Sequence, residues 1–72
     1  MSGSVNATDG DVHVLPTKTG WVVAVEGSGR RPLKHWSQRD AIRRARGIAQ
    51  EQQSELLIHG RNGRVRERSS YR

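Results

Sequence analysis

The chain contains no cysteine and no phenylalanine, and its large aromatic side chains are limited to two tryptophans and one tyrosine. Without cysteine it can form neither a disulfide nor a thiolate zinc site, and thiol catalysis is excluded. Apolar residues make up only 32% of the 72 positions, so any hydrophobic core must be small. A chain of this length forms one domain, and a domain this small often needs a partner subunit for added stability.

Long apolar runs and clustered catalytic residues are also missing. The lack of an apolar run predicts neither a transmembrane helix nor the core of a signal peptide, so we expect a cytoplasmic protein without a membrane partner. The three histidines, His13, His35 and His59, lie in different segments and lack metal-ligand spacing. The acidic residues are scattered and offer no carboxylate pair for acid–base chemistry. We therefore expect a protein that is not an enzyme and that binds neither a metal nor a cofactor.

Positive charge, by contrast, is abundant and clustered. Arginine supplies 11 of the 13 basic residues, and the formal net charge is +6. Residues 30–46 contain seven basic residues and one acidic residue, and residues 61–72 contain five and one. Because the planar guanidinium binds phosphate through two hydrogen bonds at once, arginine clusters are typical of nucleic-acid-binding surfaces. Charge alone indicates a class of partner and not an activity.

The first residues differ in composition from the rest of the chain. Residues 1–11 are mostly Ser, Gly, Asn, Thr and Asp, which predicts a disordered leader, and residues 12–72 form a single domain. Val12–Leu15 and Trp21–Val25 have the β-branched and aromatic residues of strands and predict a first hairpin, with Trp21 in the core. Arg30–Trp36 predicts a third, irregular strand, which its proline would confine to a sheet edge.

A helix and a second hairpin complete the predicted fold. Ser37 with Asp40 three residues later fits a capping box, so the helix is expected to begin at Gln38. Glu55–His59 and Arg64–Arg68 predict two strands joined by a glycine-containing turn. The order β-β-(β)-α-β-β predicts an α+β domain, a small antiparallel sheet of two hairpins with one helix packed on one face. The apolar helix residues that would face the sheet are Ala41, Ile42, Ala45, Ile48 and Ala49.

Four segments resemble a family of short bacterial proteins, the domain of unknown function 2188. They are His13-Val14-Leu15-Pro16, Gly20-Trp21-Val22-Val23, the alanine-rich helix 41–49, and residues 56–64 with the sequence Leu-Leu-Ile-His-Gly-Arg-Asn-Gly-Arg. The resemblance covers about residues 12–71, and it departs at Gln53, where the family's pattern has a glycine before Ser-Glu-Leu. It implies the fold and a bacterial or phage setting, and it brings no reaction and no ligand.

One side of the predicted helix carries a stripe of arginines. Arg39, Arg43 and Arg46 recur at i, i+4 and i+7, beside the apolar residues that would face the sheet. Such a stripe can lie along a phosphate backbone or deliver arginine to a groove of DNA. It can equally be a solvated helix face that keeps a small protein in solution.

The second hairpin is expected to carry another arginine surface. If successive side chains of the strand point to opposite faces without interruption, the side chains of Arg64, Arg66 and Arg68 lie on one face. A loop of two or four residues would put Leu57 and His59 on that face as well. A two-stranded ribbon bearing arginines can enter the major groove and contact guanine. Alternatively, the arginines protect an exposed sheet edge from self-association, a role that needs no ligand.

Two further features precede the helix. Arg30, Arg31 and Lys34 form a third basic cluster, which can wrap a phosphate backbone or remain a solvated loop. Trp36 lies just before the predicted helix cap, where it can pack against the helix start as a hydrophobic staple or stack on a base. We favour the staple.

These observations favour a non-catalytic nucleic-acid-binding module of low sequence specificity, with double-stranded DNA preferred over RNA. The competing hypotheses are a protein-interaction module whose basic surface meets an acidic protein partner, and a homodimer that buries part of the Leu57 face. The expected nucleic-acid contacts are Arg30, Arg31, Lys34, Arg39, Arg43, Arg46, Arg61, Arg64, Arg66 and Arg68.

Overall fold

The computed structural model describes residues 10–72, which form a small α+β domain of one helix and five strands. The helix, α1 (Gln38–Gln52), lies between the third and fourth strands in the sequence. No helix of the described residues is long and apolar enough to cross a membrane. The strands are β1 (Val12–Thr17), β2 (Gly20–Val25), β3 (Leu33–His35), β4 (Glu55–His59) and β5 (Val65–Ser70).

The strands form a single mixed sheet in the order β3-β2-β1-β4-β5. The pairs β1·β2, β2·β3 and β4·β5 are antiparallel, and the third strand lies at an edge as predicted. β1 and β4 are parallel, however, so the prediction of a wholly antiparallel sheet is wrong at this junction. The reason is the connection: after three antiparallel strands, α1 runs back along the sheet, and the chain re-enters at the end where β1 began.

The predicted start of the helix is confirmed. α1 begins at Gln38, and the hydroxyl oxygen of Ser37 accepts a hydrogen bond from the backbone N–H of Asp40 at 3.1 Å. At its other end the chain turns through Gln53, whose backbone is left-handed with φ 56° and ψ 49°. Glycine usually occupies this position because a side chain there is strained. The departure from the family's pattern therefore falls on the residue that ends the helix.

The hydrophobic core lies between α1 and one face of the sheet. Ala41, Ala45 and Ala49 are fully buried, and their short side chains allow the helix to lie close to the strands. Ile42 and Ile48 are partly buried beside them, so the predicted apolar stripe is confirmed. Trp21 is 8% exposed and belongs to the core, also as predicted. The other core residues are Val12, Val14, Val23, Leu56 and Ile58.

Gly10 and Asp11 make hydrogen bonds with the domain, although the sequence places them in the leader. The backbone N–H of Gly10 donates to the carbonyl oxygen of Glu26 at 2.7 Å. Asp11 Oδ1 accepts from the backbone N–H of Glu55 at 3.1 Å, which attaches the chain to the start of β4. The rest of the predicted leader, residues 1–9, lies outside the described residues.

Candidate nucleic-acid interface

A shallow groove of about 320 Å³ runs along α1 and is lined by Gln38, Arg39, Ile42, Arg43 and Arg46. Two hydrogen bonds connect its lining residues to the end of the chain. Gln38 Oε1 accepts from Arg66 Nη1 of β5 at 3.0 Å, and the hydroxyl oxygen of Tyr71 accepts from Arg46 Nε at 3.2 Å. The first of these contacts holds Arg66 against Gln38, a residue that lines the groove together with the helix arginines. We call Arg39, Arg43, Arg46 and Arg66 the arginine groove.

The charge of the arginine groove is not neutralised by acidic side chains. Within residues 10–72, no carboxylate lies within 4 Å of any of its four guanidinium groups. Asp40, three positions before Arg43, is exposed and forms no such ion pair with it. The partners that Arg46 and Arg66 do have are the neutral side chains of Tyr71 and Gln38. Most of the five N–H donors of each guanidinium therefore remain open to a ligand.

The second hairpin places its arginines differently from the prediction. The pairing of β5 with β4 shifts between Ile58 and His59, which creates a β-bulge at Arg66. A bulge adds one residue to a strand and interrupts the alternation of its side chains. Arg66 therefore reaches the first turn of the helix, whereas Arg68 lies on the sheet face that the helix does not cover. The predicted common face of Arg64, Arg66 and Arg68 is wrong for this reason.

Arg64 and Arg68 lie outside the arginine groove. Arg68 is opposite Leu57 in the register, and its Nη1 is 3.6 Å from Glu55 Oε1. Glu55 Oε2 also lies 3.5 Å from Arg72 Nε, so a carboxylate offsets part of the positive charge here. Arg64 precedes β5 and is exposed. Its backbone N–H donates to Asn62 Oδ1 at 3.0 Å, while no ion pair holds its side chain within the described residues.

Arg61 packs onto the core residue Trp21. Its guanidinium carbon lies 4.6 Å from the centroid of the Trp21 ring, and its Nη1 donates to the carbonyl oxygen of Thr17 at 2.8 Å. A cation over a tryptophan face contributes about 0.5–1 kcal/mol at an exposed site. Arg61, which the sequence predicted to contact nucleic acid, therefore holds the turn of the second hairpin against the first hairpin.

Arg30 and Arg31 lie on the opposite flank of α1, at a cleft of about 550 Å³. The walls of this cleft include Val23, Leu33 and Ile48, and the two exposed arginines lie among its lining residues. The cleft borders edge strand β3, whereas Arg66 of the arginine groove belongs to the opposite edge strand. The helix therefore separates this basic cluster from the groove, and the predicted clusters do not share one surface.

Trp36 is 79% exposed, so the hydrophobic staple favoured from the sequence is wrong. A staple would pack the ring against Ala41, the fourth residue of the helix. Ala41 is fully buried against the sheet, so its methyl group offers no contact surface to a residue outside the core. Instead, Lys34 Nζ lies 4.7 Å from the centroid of the Trp36 ring and donates a hydrogen bond to the hydroxyl oxygen of Thr19.

Two histidines from separate predicted elements meet on the uncovered face of the sheet. His13 Nδ1 of β1 lies 3.0 Å from His59 Nε2 of β4. His13 Nε2 lies 2.6 Å from Glu26 Oε2, and His59 Nδ1 lies 2.9 Å from the carbonyl oxygen of Gly63. His59 therefore makes a hydrogen bond within the turn of the second hairpin. The contact between the histidines was missed, because it depends on the parallel pairing of β1 with β4.

Both ends of this chain of side chains are hydrogen-bond acceptors, the Glu26 carboxylate and the Gly63 carbonyl. The Gly63 carbonyl can only accept, so His59 Nδ1 donates to it, and either ring can be the donor in the contact between His13 Nδ1 and His59 Nε2. His13 Nε2 then donates to Glu26.

No group of three or more His, Asp or Glu side chains in the described part of the chain could hold a metal ion. The available sequence signal was that both histidines lie in segments that carry the family resemblance.

Comparison with known proteins identifies the domain without assigning it an activity. A family model described as an uncharacterized protein conserved in bacteria matches residues 12–71. That range includes the helix and all five strands described above. No curated protein and no solved structure matches the chain.

Proposed function

The chain belongs to DUF2188, a family of uncharacterized proteins conserved in bacteria, and we propose that it is a non-catalytic module that binds double-stranded DNA through phosphate contacts. The observation that supports this proposal is the arginine groove. Its four guanidinium groups come from α1 and from β5, and none has a carboxylate within 4 Å in the described part of the chain. An uncompensated row of arginines attracts a polyanion and releases its counterions on binding.

Phosphate suits the arginine groove better than a base edge does. The β-bulge separates Arg66 from Arg68, so β4 and β5 do not present a row of arginines that could enter the major groove as a ribbon. Contacts to the DNA backbone fix position and carry no sequence information. We therefore propose low sequence specificity, with Arg64 at the exposed end of the hairpin as one further contact.

The remaining predicted contacts have other surroundings and are left out of the proposed interface. Arg61 contacts Trp21, and Arg68 is paired with Glu55. Arg30 and Arg31 lie across the helix from the groove. Lys34 lies against Trp36. The proposed interface is therefore smaller than the one expected from charge alone.

The test is a titration of a labelled DNA duplex, followed by fluorescence anisotropy at several salt concentrations. The logarithm of the affinity should fall linearly with the logarithm of salt concentration, with a slope of about −0.9 for each phosphate neutralised. For about five contacts, the four groove arginines and Arg64, we expect a slope near −4.5. A lack of binding even at low salt would overturn the proposal and would favour an acidic protein as the occupant of the same groove.

Two matched pairs of variants separate the arginine groove from net charge. Arg43→Gln and Arg66→Gln each remove one groove arginine, and each should make the salt slope less steep by about 0.9. Arg44→Gln, on the same helix, and Arg68→Gln, on the same strand, remove the same charge outside the groove and should leave the slope unchanged. Equal losses in all four variants would mean that overall charge, and not the groove, determines binding. Circular dichroism of each variant checks that the fold is retained.

Self-association through the uncovered sheet face is a third possibility, besides DNA and an acidic protein partner. Leu15 and Val22 are cross-strand partners on that face and are partly exposed. Leu57, however, is only 7% exposed, so a homodimer would remove little further apolar surface at this residue. This favours a monomer whose ligand binds along the helix.

A further inference from the structure

We propose that Trp36 stacks on an unpaired base, so that the protein binds DNA more tightly where a duplex meets a single strand than along a continuous duplex. The inference rests on the proposed function, because it assigns a base contact to the same nucleic acid. It starts from an independent observation, the exposure of one of the two tryptophans in the chain.

The exposure of Trp36 has no structural explanation within residues 10–72. Trp36 is 79% exposed as a residue and lies outside the hydrophobic core cluster, whereas Trp21 is 8% exposed and inside it. Trp36 also forms no staple with Ala41. Exposed apolar surface of this size is unfavourable in water. A large aromatic ring that the fold leaves open is typical of a binding contact.

The neighbouring lysine makes the ring suitable for a base. Lys34 Nζ lies 4.7 Å from the centroid of the Trp36 ring, and its hydrogen bond to the hydroxyl of Thr19 holds it there. Since one face of the ring carries this ammonium group, the exposed surface includes the opposite face. Stacking of bases on aromatic side chains beside a basic surface is how proteins bind single-stranded nucleic acid.

Trp36 lies near one end of the arginine groove. It precedes the helix cap, and Arg39, the first arginine of the groove, follows three residues later. Three consecutive Cα steps span at most about 11 Å, which is about three nucleotide steps of one DNA strand. A strand whose phosphates lie in the groove can therefore bring a base to the ring. Inside a continuous duplex both faces of each base are covered by its neighbours, so only an unpaired base can stack on it.

The experiment compares three labelled oligonucleotides with the same number of phosphates. One is a blunt duplex, one carries a short single-stranded overhang, and one carries the same overhang with abasic positions. Anisotropy should show about tenfold tighter binding of the overhang than of the blunt duplex, because one stacked base contributes a factor of this order. The abasic overhang should lose that advantage, since it keeps the phosphates and lacks the bases.

Variants at position 36 test whether the Trp36 ring causes the tighter binding of the overhang. Trp36→Ala should bring the affinities for the overhang and the blunt duplex together, and Trp36→Phe should keep part of the difference. Leu33→Ala is the matched control, because Leu33 is 40% exposed and belongs to the adjacent strand. It should leave the tenfold ratio unchanged.

Intrinsic fluorescence provides a second readout with an internal reference. The overhang should quench the emission of the native protein, whose exposed ring it contacts. In Trp36→Phe only the buried Trp21 remains, so the same overhang should produce little quenching.

The outcomes distinguish this inference from the proposed function. Equal affinity for the overhang and the blunt duplex, or an equal loss of both in Trp36→Ala, overturns base stacking while duplex binding stands. A lack of binding to any of the three oligonucleotides at low salt overturns both proposals. Trp36 would then be assigned to a contact with another protein.

Discussion

At the scale of single residues, seven of the eleven arginines fall into three different surroundings. Four of them form the arginine groove and lack acidic partners among the described residues. Arg68 and Arg72 lie close to Glu55, where ion pairs at an exposed surface contribute little to stability. Arg61 covers Trp21. The neighbours of each guanidinium therefore decide whether it can bind a ligand.

Arg61→Ala should destabilise the fold, because it removes both the contact with the Trp21 ring and the hydrogen bond to the Thr17 carbonyl. We expect the free energy of unfolding to fall by about 1–2 kcal/mol. Urea denaturation followed by circular dichroism measures this change. Arg64→Ala, in the same loop, is the control and should have an effect below about 0.5 kcal/mol. Equal effects of the two substitutions would contradict a packing role for Arg61.

At the scale of secondary-structure elements, two positions explain parts of the family resemblance. Gly20 opens β2, and a Cβ atom there would lie 2.5 Å from the carbonyl oxygen of His35. Only glycine allows the start of β2 to approach the end of β3 this closely. At Gln53 the chain departs from the family's pattern, which has glycine there. Gln53 nevertheless adopts the left-handed backbone that glycine favours.

Gln53→Gly should stabilise the protein. The left-handed backbone of Gln53 costs an L-residue about 1–2 kcal/mol, and glycine adopts the same conformation without that cost. Because glycine also makes the unfolded chain more flexible, we expect a net gain of about 0.5–1 kcal/mol in the free energy of unfolding. Thermal unfolding measures it as a higher Tm. Gln53→Ala keeps the Cβ atom and should give no gain, so equal stabilisation by both would rule out the backbone explanation.

At the scale of the whole molecule, the net charge of +6 is distributed over separate surfaces. The helix divides the arginine groove from the cleft of Arg30 and Arg31, and the uncovered sheet face carries Glu26 and Glu55 near its basic residues. Among the described residues, the flank of α1 that carries the arginine groove is where four guanidinium groups lack a carboxylate within 4 Å.

Sedimentation equilibrium should give a mass near 8.1 kDa, that of the monomer, even at high protein concentration. The reason is that Leu57, the residue expected to drive a homodimer, is already buried in the single chain, where it is only 7% exposed. The charge of +6 further opposes association. A mass near twice 8.1 kDa would restore the homodimer and would place its interface on the uncovered sheet face.

The sequence by itself determined the elements of the fold. The capping residue Ser37, the three- and four-residue spacing of the buried alanines and the β-branched residues around Trp21 are local signals, and each predicted what the structure contains. Such signals act between residues close in sequence, where backbone geometry relates the pattern directly to a helix or a strand.

Only the tertiary structure decided how those elements combine. The contact between His13 and His59 joins residues 46 positions apart, and it exists because β1 and β4 pair in parallel. The bulge at Arg66, opposite Ile58 and His59, turns this side chain to the helix and leaves Arg68 on the other face. Strand register and bulges depend on the packing of distant segments against each other, so no local pattern of residues encodes them. For the same physical reason, the sequence revealed many arginines but not which of them form a groove.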